Sequence, residues 1–424
     1  MNVFVKTFGC TFNKADSDAI CELLKTGLSG ICFTEREAAD VVVVNSCSVK
    51  DATAQKILCE LSSLAKAGKK VVVCGCLAQT SPDLVRKAHP QASLVGTKAL
   101  CCVAQAVSSA SVGCREEFLG GGEDFLLKVV VDGVVARVQI AVGCTGACTY
   151  CSAKLARGRV RSFFLAQLKR EVEKAVLKGA LEVQLTAQDT GCYGFDLTPR
   201  KNLADLLDSL CSVEGEFRIR VGMMNPNHAL KFLPELLEAF SSKKVYKFLH
   251  VPVQSGSNKV LKDMNRSYAV EDFEKVVRTF RERFPGITIA TDFIVGYPTE
   301  SQGDFEETFE LAKRVRPDIS NVSKFCGRPG TSAAKLRVLD NKIVKRRSGL
   351  LSAFCKQISF ASNKGMVGKR VRVLVTKEVE GGFSGRSENY KPVLVENACL
   401  GEFLDLEIIQ SGQSHLSSLK RKRF

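Results

Sequence analysis

The sequence predicts an α/β protein in three parts. They are an open parallel α/β domain over residues 1–112, a partial (β/α)6 barrel over 125–360 and a small antiparallel β-barrel over 364–424. Three observations predict this. Short β-branched runs alternate with helical segments through the first part. Strand–helix units then repeat after a glycine-rich break, and from about Lys364 an alternation of period two replaces them.

In the first part, Val3–Phe8, Val41–Val44 and Val71–Val73 read as strands buried on both faces, because apolar residues run on without alternation. Ala52–Ala67 reads as a helix stopped by Gly68. Each strand runs straight into a cysteine: Gly9-Cys10, Asn45-Ser46-Cys47 and Cys74-Gly75-Cys76. Ligands of open parallel sheets bind outside the carboxyl ends of the strands. Cys10, Cys47 and Cys76 are therefore expected at one edge, while Cys74, Cys101, Cys102 and Cys114 are expected to fill turns as small apolar residues. Gly113–Asp124, with Gly120-Gly121-Gly122, reads as a linker.

In the second part the expected strands are Arg137–Val142, Glu182–Thr186, Phe217–Val221, Lys247–Val251, Ile287–Val295 and Ile319–Phe325. Between the first two, Phe164, Leu168, Val172, Ala175 and Val176 make one apolar helical stripe, with Gly179 as its C-cap. Such a barrel carries its site at the carboxyl ends of the strands. In the third part, Val371–Thr376, Tyr390–Val395 and Phe403–Ile409 alternate as half-buried strands, and Gly381-Gly382 and Ser384-Gly385 read as turns. Closed barrels of this size often bind RNA on one face. Lys369, Arg370, Arg386 and Lys391 are its candidate phosphate contacts, and Tyr390 a candidate base-stacking ring.

Composition sets the outer limits. The chain has 424 residues, 45% hydrophobic and 25% charged, ordinary for globular domains. No basic segment followed by a long apolar one opens the sequence, and no uncharged apolar run reaches membrane-spanning length. A reducing, cytoplasmic compartment is the expectation, so the 18 cysteines read as metal ligands or buried thiols rather than a disulfide framework. A net charge of +16 favours a polyanionic partner, nucleic acid being the usual one. Lys342–Arg347 and Lys420–Phe424 are local basic clusters that also fit a solvated face.

The most specific signal is the run Cys144-Thr145-Gly146-Ala147-Cys148-Thr149-Tyr150-Cys151, a C-x3-C-x2-C triplet on a short loop. Three thiolates on one tight loop can hold three irons of a four-iron cluster and leave the fourth iron open to a small molecule. A zinc knuckle would ask for paired C-x2-C hooks and a fourth ligand, and no second hook lies nearby.

The run resembles the loop of the radical S-adenosylmethionine (SAM) superfamily, including the aromatic Tyr150. Over nearly its full length the chain resembles the radical SAM methylthiotransferases. The N-terminal resemblance lies in Phe8-Gly9-Cys10 with Asn13 and Asp16, in Val44–Val49 around Cys47, and in Cys74–Gln79 around Cys76. Gly385–Val395 is similar to the RNA-binding TRAM domain. Leu185–Gly194, Arg220–Pro226 and Phe248–Ser257 are similar to the archaeal and eukaryotic threonylcarbamoyladenosine branch. Ala187 and Gln188 replace that branch's more usual Ser-Glu, and Leu155 stands where eukaryotic members often have His.

The resemblance implies two [4Fe-4S] clusters and SAM. Cys144, Cys148 and Cys151 would hold the catalytic cluster, whose reduction cleaves SAM to a radical that takes hydrogen from C2 of adenine. Cys10, Cys47 and Cys76 would hold an auxiliary cluster that handles sulfur. Along the barrel rim Tyr150, Gln188, Asp189, Arg220 and Gln254 are the expected SAM contacts, Arg220 toward its carboxylate. An ion pair with Asp292 is the competing reading for Arg220. His250 is expected to be a satisfied core histidine. Arg157, Arg159 and Arg161 read either as a grip on the substrate or as a solvent-facing basic turn. The implied reaction is 2-methylthiolation of N6-threonylcarbamoyladenosine at tRNA position 37, beside the anticodon, with an external electron donor and sulfur source and no membrane. Isopentenyladenosine tRNA or a ribosomal protein is the alternative substrate. A non-catalytic iron–sulfur RNA-binding protein is the alternative of another class, and the intact triplet at Cys144, Cys148 and Cys151 argues against it.

Overall fold

The computed structural model describes residues 1–49, 51–120, 127 and 129–418. The last glycines of the expected linker and the basic tail Lys420–Phe424 lie outside the described residues. The chain forms two compact units. The first comprises residues 1–130, 137–161 and 326–335; the second comprises 131–136, 162–325 and 336–424. Among the described residues no helix is long and apolar enough to cross a membrane.

The first unit is built on a parallel sheet of six strands in the order Cys32–Phe33, Asn2–Thr7, Val41–Ser46, Lys70–Gly75, Ser93–Val95, Glu117–Phe118. The central strand shows why its valines do not alternate with polar residues. Val42 and Val44 point to one face, against Ile57, Leu61 and Leu64 of the helix Asp51–Lys66. Val41 and Val43 point to the other, against Ile20 and Leu24 of the helix Thr11–Gly27 and Val103 and Val107 of the helix Val103–Ser111. Each valine is fully buried, which stabilises by about 1.5–3 kcal/mol per side chain. The three strands unanticipated by pattern, two of them at the sheet's edges, are only two or three residues long. Cys74 fills the core as expected. Cys101 and Cys114, by contrast, are exposed, so packing does not explain them.

The second unit carries two parallel-strand arcs. One sheet runs in the order Arg218–Val221, Glu182–Thr186, Val135–Gln139, Val131–Asp132, with the first residues of Val135–Gln139 belonging to this unit. The other runs Phe248–His250, Thr288–Val295, Ile319–Lys324. Backbone bonds join the arcs: Ile219 N donates to Lys244 O at 2.6 Å and Met224 N to His250 O at 3.0 Å. Six strands of the predicted partial barrel are thus present near their expected positions. The helix Leu165–Leu177 buries Leu168, Val172 and Ala175 and ends before Gly179, whose φ of +92° suits a C-terminal glycine. Phe164 precedes that helix and is 61% exposed, so it lies outside the buried stripe.

The C-terminal strands form a curled, mostly antiparallel sheet, in the order Phe403–Glu407, Arg370–Val379, Gly382–Ser387, Pro392–Val395, Leu416–Ser417, Gln410–Ser411. Leu416–Ser417 pairs parallel with Pro392–Val395. Gly381, at φ +79°, turns the chain into Gly382 as expected, but Ser384-Gly385 lies inside the strand Gly382–Ser387 rather than in a turn. Gly385 is needed there because a Cβ would come within 2.6 Å of the Leu374 carbonyl and overlap Val373. The basic stretch 342–347 opens the helix Asn341–Lys364, and Arg347 is not solvated: it is buried against Glu300, 2.6 Å away.

Candidate active site with two cysteine triplets

Both cysteine triplets lie in the first unit, and none of the 18 cysteines is in a disulfide. The register of the parallel sheet brings the first triplet together. Thr7 pairs with Asn45, Asn45 with Cys74 and Ser46 with Gly75. Three adjacent strands therefore release Cys10, Cys47 and Cys76 at the same edge. Asn13 and Asn45 lock the loops: Asn13 Nδ2 donates to Phe8 O at 3.0 Å and Ser46 O at 2.9 Å, and Asn45 Nδ2 donates to Asn13 O at 2.7 Å and Ser17 Oγ at 2.8 Å. Gly9 and Gly75 permit the close approach. Their φ values are +111° and +91°, and a Cβ would meet Cys47 Cβ at 2.7 Å or Ser46 O at 2.7 Å.

Cys10 is exposed, whereas Cys47 and Cys76 are buried. Burial pushes the Cys76 thiol up; Arg157 pulls it down, and the neighbouring Cys10 adds to the rise. A metal resolves this conflict by taking the thiolate form directly.

The second triplet follows the short strand Ala141–Val142. Gly143, at φ +86°, turns the chain, and a Cβ there would overlap the Arg159 carbonyl. Gly146 N donates to Cys144 Sγ at 3.2 Å, and a Cβ on Gly146 would lie 3.4 Å from Cys144 Sγ and 3.8 Å from Cys148 Sγ. Burial raises the Cys151 thiol to about 11, with the Cys148 and Cys144 thiols adding to the rise. The three sulfurs thus share one small site with a backbone N–H already aimed at one of them, a donor set suited to an iron–sulfur cluster. The helix Ser152–Arg157 starts from Cys151, and Lys154 Nζ donates to the Cys144 carbonyl.

The expected SAM contacts divide. Tyr150 and Gln188 are half-buried. Gln254 is 8% exposed and holds φ +72°, unusual for a non-glycine residue. Its backbone N donates to Asp292 O at 2.8 Å, and its side-chain amide has no hydrogen-bond partner among the described residues. Asp189 is fully buried and its carboxylate is occupied within the protein. Oδ1 accepts from Gly191 N at 3.0 Å and Asn225 N at 3.1 Å, while Oδ2 binds Asn225 Nδ2 at 2.5 Å and His228 Nδ1 at 2.6 Å. Burial pushes its pKa up, but the His228 and Asn225 hydrogen bonds outweigh that and hold it below its ordinary value. Asp189 therefore braces the loop rather than facing a ligand, a correction to the sequence expectation. His228 and Asn225 are the functional neighbours that sequence reasoning missed. Asn225 does fall within the motif Arg220–Pro226, but nothing local marks it as a brace for a carboxylate 36 residues earlier.

Arg220 also departs from expectation. Its guanidinium lies over Phe248 and Tyr390, 5.5 and 5.7 Å from the ring centroids, and it has no carboxylate partner among the described residues. Phe248 opens its strand, and the Tyr390 hydroxyl binds Glu182, which opens another. The charge thus faces the amino-terminal end of the sheet, the wrong end for SAM. The competing ion pair with Asp292 does not form either: Asp292 binds His250 Nε2 at 3.0 Å and Asn321 Nδ2 at 2.8 Å. His250 is the satisfied histidine expected.

Two of the five expected RNA contacts are structural instead. Tyr390, 8% exposed, donates to the buried Glu182 at 3.0 Å and packs against Tyr246 and Phe248. Lys391, 5% exposed, donates to Asn363 Oδ1 at 2.9 Å, Ser362 Oγ at 3.1 Å and Asp318 Oδ1 at 3.3 Å. Buried and fully engaged, neither meets RNA. Arg386 is half-buried, stacked on Tyr390 with 4.6 Å to the centroid. Lys369 and Arg370 are exposed. Arg157 is neither a substrate grip nor a solvent-facing residue: it is buried beside Asp16 and Cys76 in the first unit.

This fold and cysteine loop define a radical SAM protein. Residues 138–312 match the family model of the Radical SAM superfamily, and residues 2–96 match that of Uncharacterized protein family UPF0004. A solved radical SAM methyltransferase, TsrM from Kitasatospora setae, has a similar fold, with a TM-score of 0.54 at 14% identity, over 87% of this chain and 76% of that one. Among curated relatives, a probable threonylcarbamoyladenosine tRNA methylthiotransferase of Archaeoglobus fulgidus is 44% identical over 96% of both chains. One from Pyrococcus horikoshii is 42% identical over 98% of both. The threonylcarbamoyladenosine tRNA methylthiotransferase of Homo sapiens is 33% identical over 97% of this chain and 72% of its own length. The chain belongs to the family of radical SAM threonylcarbamoyladenosine tRNA methylthiotransferases.

Proposed function

We propose that this protein converts N6-threonylcarbamoyladenosine at position 37 of tRNA to its 2-methylthio derivative. The observation that carries this reading is the gathering of six cysteines, as two triplets at strand ends, within one compact unit. Cys144, Cys148 and Cys151 hold the catalytic cluster, and Cys10, Cys47 and Cys76 hold the auxiliary one. When bound, the two clusters and SAM supply radical hydrogen abstraction at adenine C2 and a methylated sulfur for transfer. The chain's own part is placement. Gly143 and Gly146 shape the catalytic loop, Gly9 and Gly75 let the auxiliary loops close, and Gln254 offers SAM an amide carried on backbone held at positive φ. Tyr150 in the first unit and Gln188 in the second are further proposed SAM contacts, with Asp189 bracing the loop next to Gln188.

tRNA is held through phosphates by Arg386, Lys369 and Arg370 of a TRAM-like C-terminal sheet. An external reductant and sulfur source complete the reaction, and the free thiols suit the cytoplasm. The test is a side-by-side assay with SAM, reductant and a sulfur source on three tRNAs. The threonylcarbamoyladenosine tRNA is expected to turn over. Isopentenyladenosine and unmodified tRNAs are expected to remain nearly untouched, because a site with polar partners for a carboxylate rejects an apolar substituent. Preferred turnover of the isopentenyl tRNA overturns the substrate assignment.

A further inference from the structure

Arg157 ends the helix that starts from Cys151, and its side chain is one of the few buried charges of the first unit, 3% exposed. Asp16 takes both of its Nη atoms, and Asp16 is itself braced by Gln139 Nε2 at 2.7 Å. Phe12 covers the guanidinium face, with 4.7 Å from Cζ to the ring centroid. An ion pair alone would be complete at this point. Yet Nη2 also lies 3.5 Å from Cys76 Sγ, and the buried Nε–H has no acceptor among the described residues. A desolvated donor of this kind costs free energy unless something accepts from it.

The same helix is tied at its other end. Ser152 Oγ lies 3.1 Å from Ser48 Oγ, one residue beyond Cys47, while at the Arg157 end Thr97 Oγ1 donates to Ala156 O. One short helix thus runs from a thiol of the catalytic triplet to the neighbours of both buried thiols of the auxiliary triplet.

We propose that Arg157 is a positioning residue of the auxiliary cluster: it donates a charge-assisted N–H···S hydrogen bond to the Cys76 thiolate, turns its remaining donor toward the cluster, and raises the reduction potential of that cluster. The proposal rests on the reading of Cys10, Cys47 and Cys76 as cluster ligands. The physical ground is simple. Reduction adds a negative charge to the cluster, and a cation with N–H groups at a ligand sulfur stabilises the reduced form more than the oxidised one. Burial keeps water from screening the effect.

The test is a potentiometric EPR titration of anaerobic, SAM-bound holoenzyme. The variants are Arg157→Gln, Arg157→Lys and the double variant Arg157→Gln with Asp16→Asn, which leaves no unpaired buried carboxylate. The exposed Arg159→Gln is the control. With iron content unchanged, the two neutral variants are expected to lower the reduced-to-oxidised ratio of the auxiliary cluster about tenfold at a fixed potential, a negative shift of about 59 mV for a one-electron couple. Arg157→Lys keeps the charge but not the fork and recovers part of the shift, while Arg159→Gln leaves the midpoint in place. A merely structural role would change iron content and not the potential of the clusters that form.

If the neutral variants fail to take up iron, the unmodified holoenzyme decides. With 15N-labelled arginine, pulsed EPR of the reduced auxiliary cluster is expected to show a nitrogen coupling. An unchanged midpoint at full iron content, or no arginine coupling in the labelled enzyme, overturns the proposal. Failure of the underlying reading looks different: changing Cys10, Cys47 and Cys76 to Ala would leave both cluster signals intact.

Discussion

Replacing Tyr390 by Phe separates the two roles that this side chain could play. The ring sits 4.8 Å from Tyr246 and 5.1 Å from Phe248, and its hydroxyl donates to Glu182, which is 1% exposed. The change keeps the ring and removes one donor from a buried carboxylate. A hydrogen bond to a charged group contributes about 1.5–3 kcal/mol. For a unit of this size that lowers the melting temperature by roughly 4–8 °C for about 2 kcal/mol. Tyr390→Ala adds the loss of the ring, on which Arg220 and Arg386 also stack, at about 3–5 kcal/mol in all. Were Tyr390 a base-stacking platform, Phe would serve as well and melt like the parent, while Ala would lose about 1–3 kcal/mol of RNA affinity with no loss of stability. Thermal unfolding of the holoenzyme, paired with tRNA binding measured well below the transition, distinguishes the two. A Phe variant that melts with the parent refutes the buried-anchor reasoning.

Three further outcomes are expected. Anaerobically reconstituted parent should carry about eight irons, and either cysteine triplet changed to Ala about four, with SAM cleavage surviving only where Cys144, Cys148 and Cys151 remain; iron analysis and 5′-deoxyadenosine formation measure both. Asp189 is held below its ordinary pKa, so its stabilisation is full above the unfolded value of about 4 and is lost as pH falls through the lower native value; Asp189→Asn should flatten that acid limb in unfolding titrations and lose about 1.5–3 kcal/mol at neutral pH. Changing the exposed Lys369 and Arg370 to Gln should weaken tRNA binding across sequences and reduce the salt slope by about one for each phosphate no longer neutralised, read from a salt titration.

The sequence was most legible where a single physical constraint filled a whole segment. Val41–Val44 reads as a strand covered on both faces because neither face admits a polar residue, and helices do cover both. The cysteines after three such strands reach one edge because parallel pairing leaves no other choice of register. Strands of two or three residues, such as Cys32–Phe33 and Glu117–Phe118, carry too few positions for a period to show. Gly385 misled in another way: glycine marks a turn when φ must be positive, but here it marks a strand whose neighbour leaves no room for a Cβ.

The side chains around Tyr390 show where local patterns stop. Arg386, Tyr390 and Lys391 read as the basic and aromatic contacts of an RNA-binding module. Whether such side chains face solvent depends on what lies across from them, and the partners are more than two hundred residues away in one case: Glu182 for Tyr390, and Asp318 and Asn363 for Lys391. Glu182 would be a costly buried carboxylate without the Tyr390 and Tyr246 hydroxyls and Gln184. Lys391 would be a costly buried cation without Asp318. The same logic governs Arg157, whose sequence neighbours fitted either a substrate grip or a solvent-facing turn, while Asp16 holds it in the interior. A buried charge in this chain is therefore read from its partner. Where the partner is a carboxylate the charge seats one segment against another, and where a sulfur shares it, as at Cys76, the charge also acts on the chemistry of that sulfur.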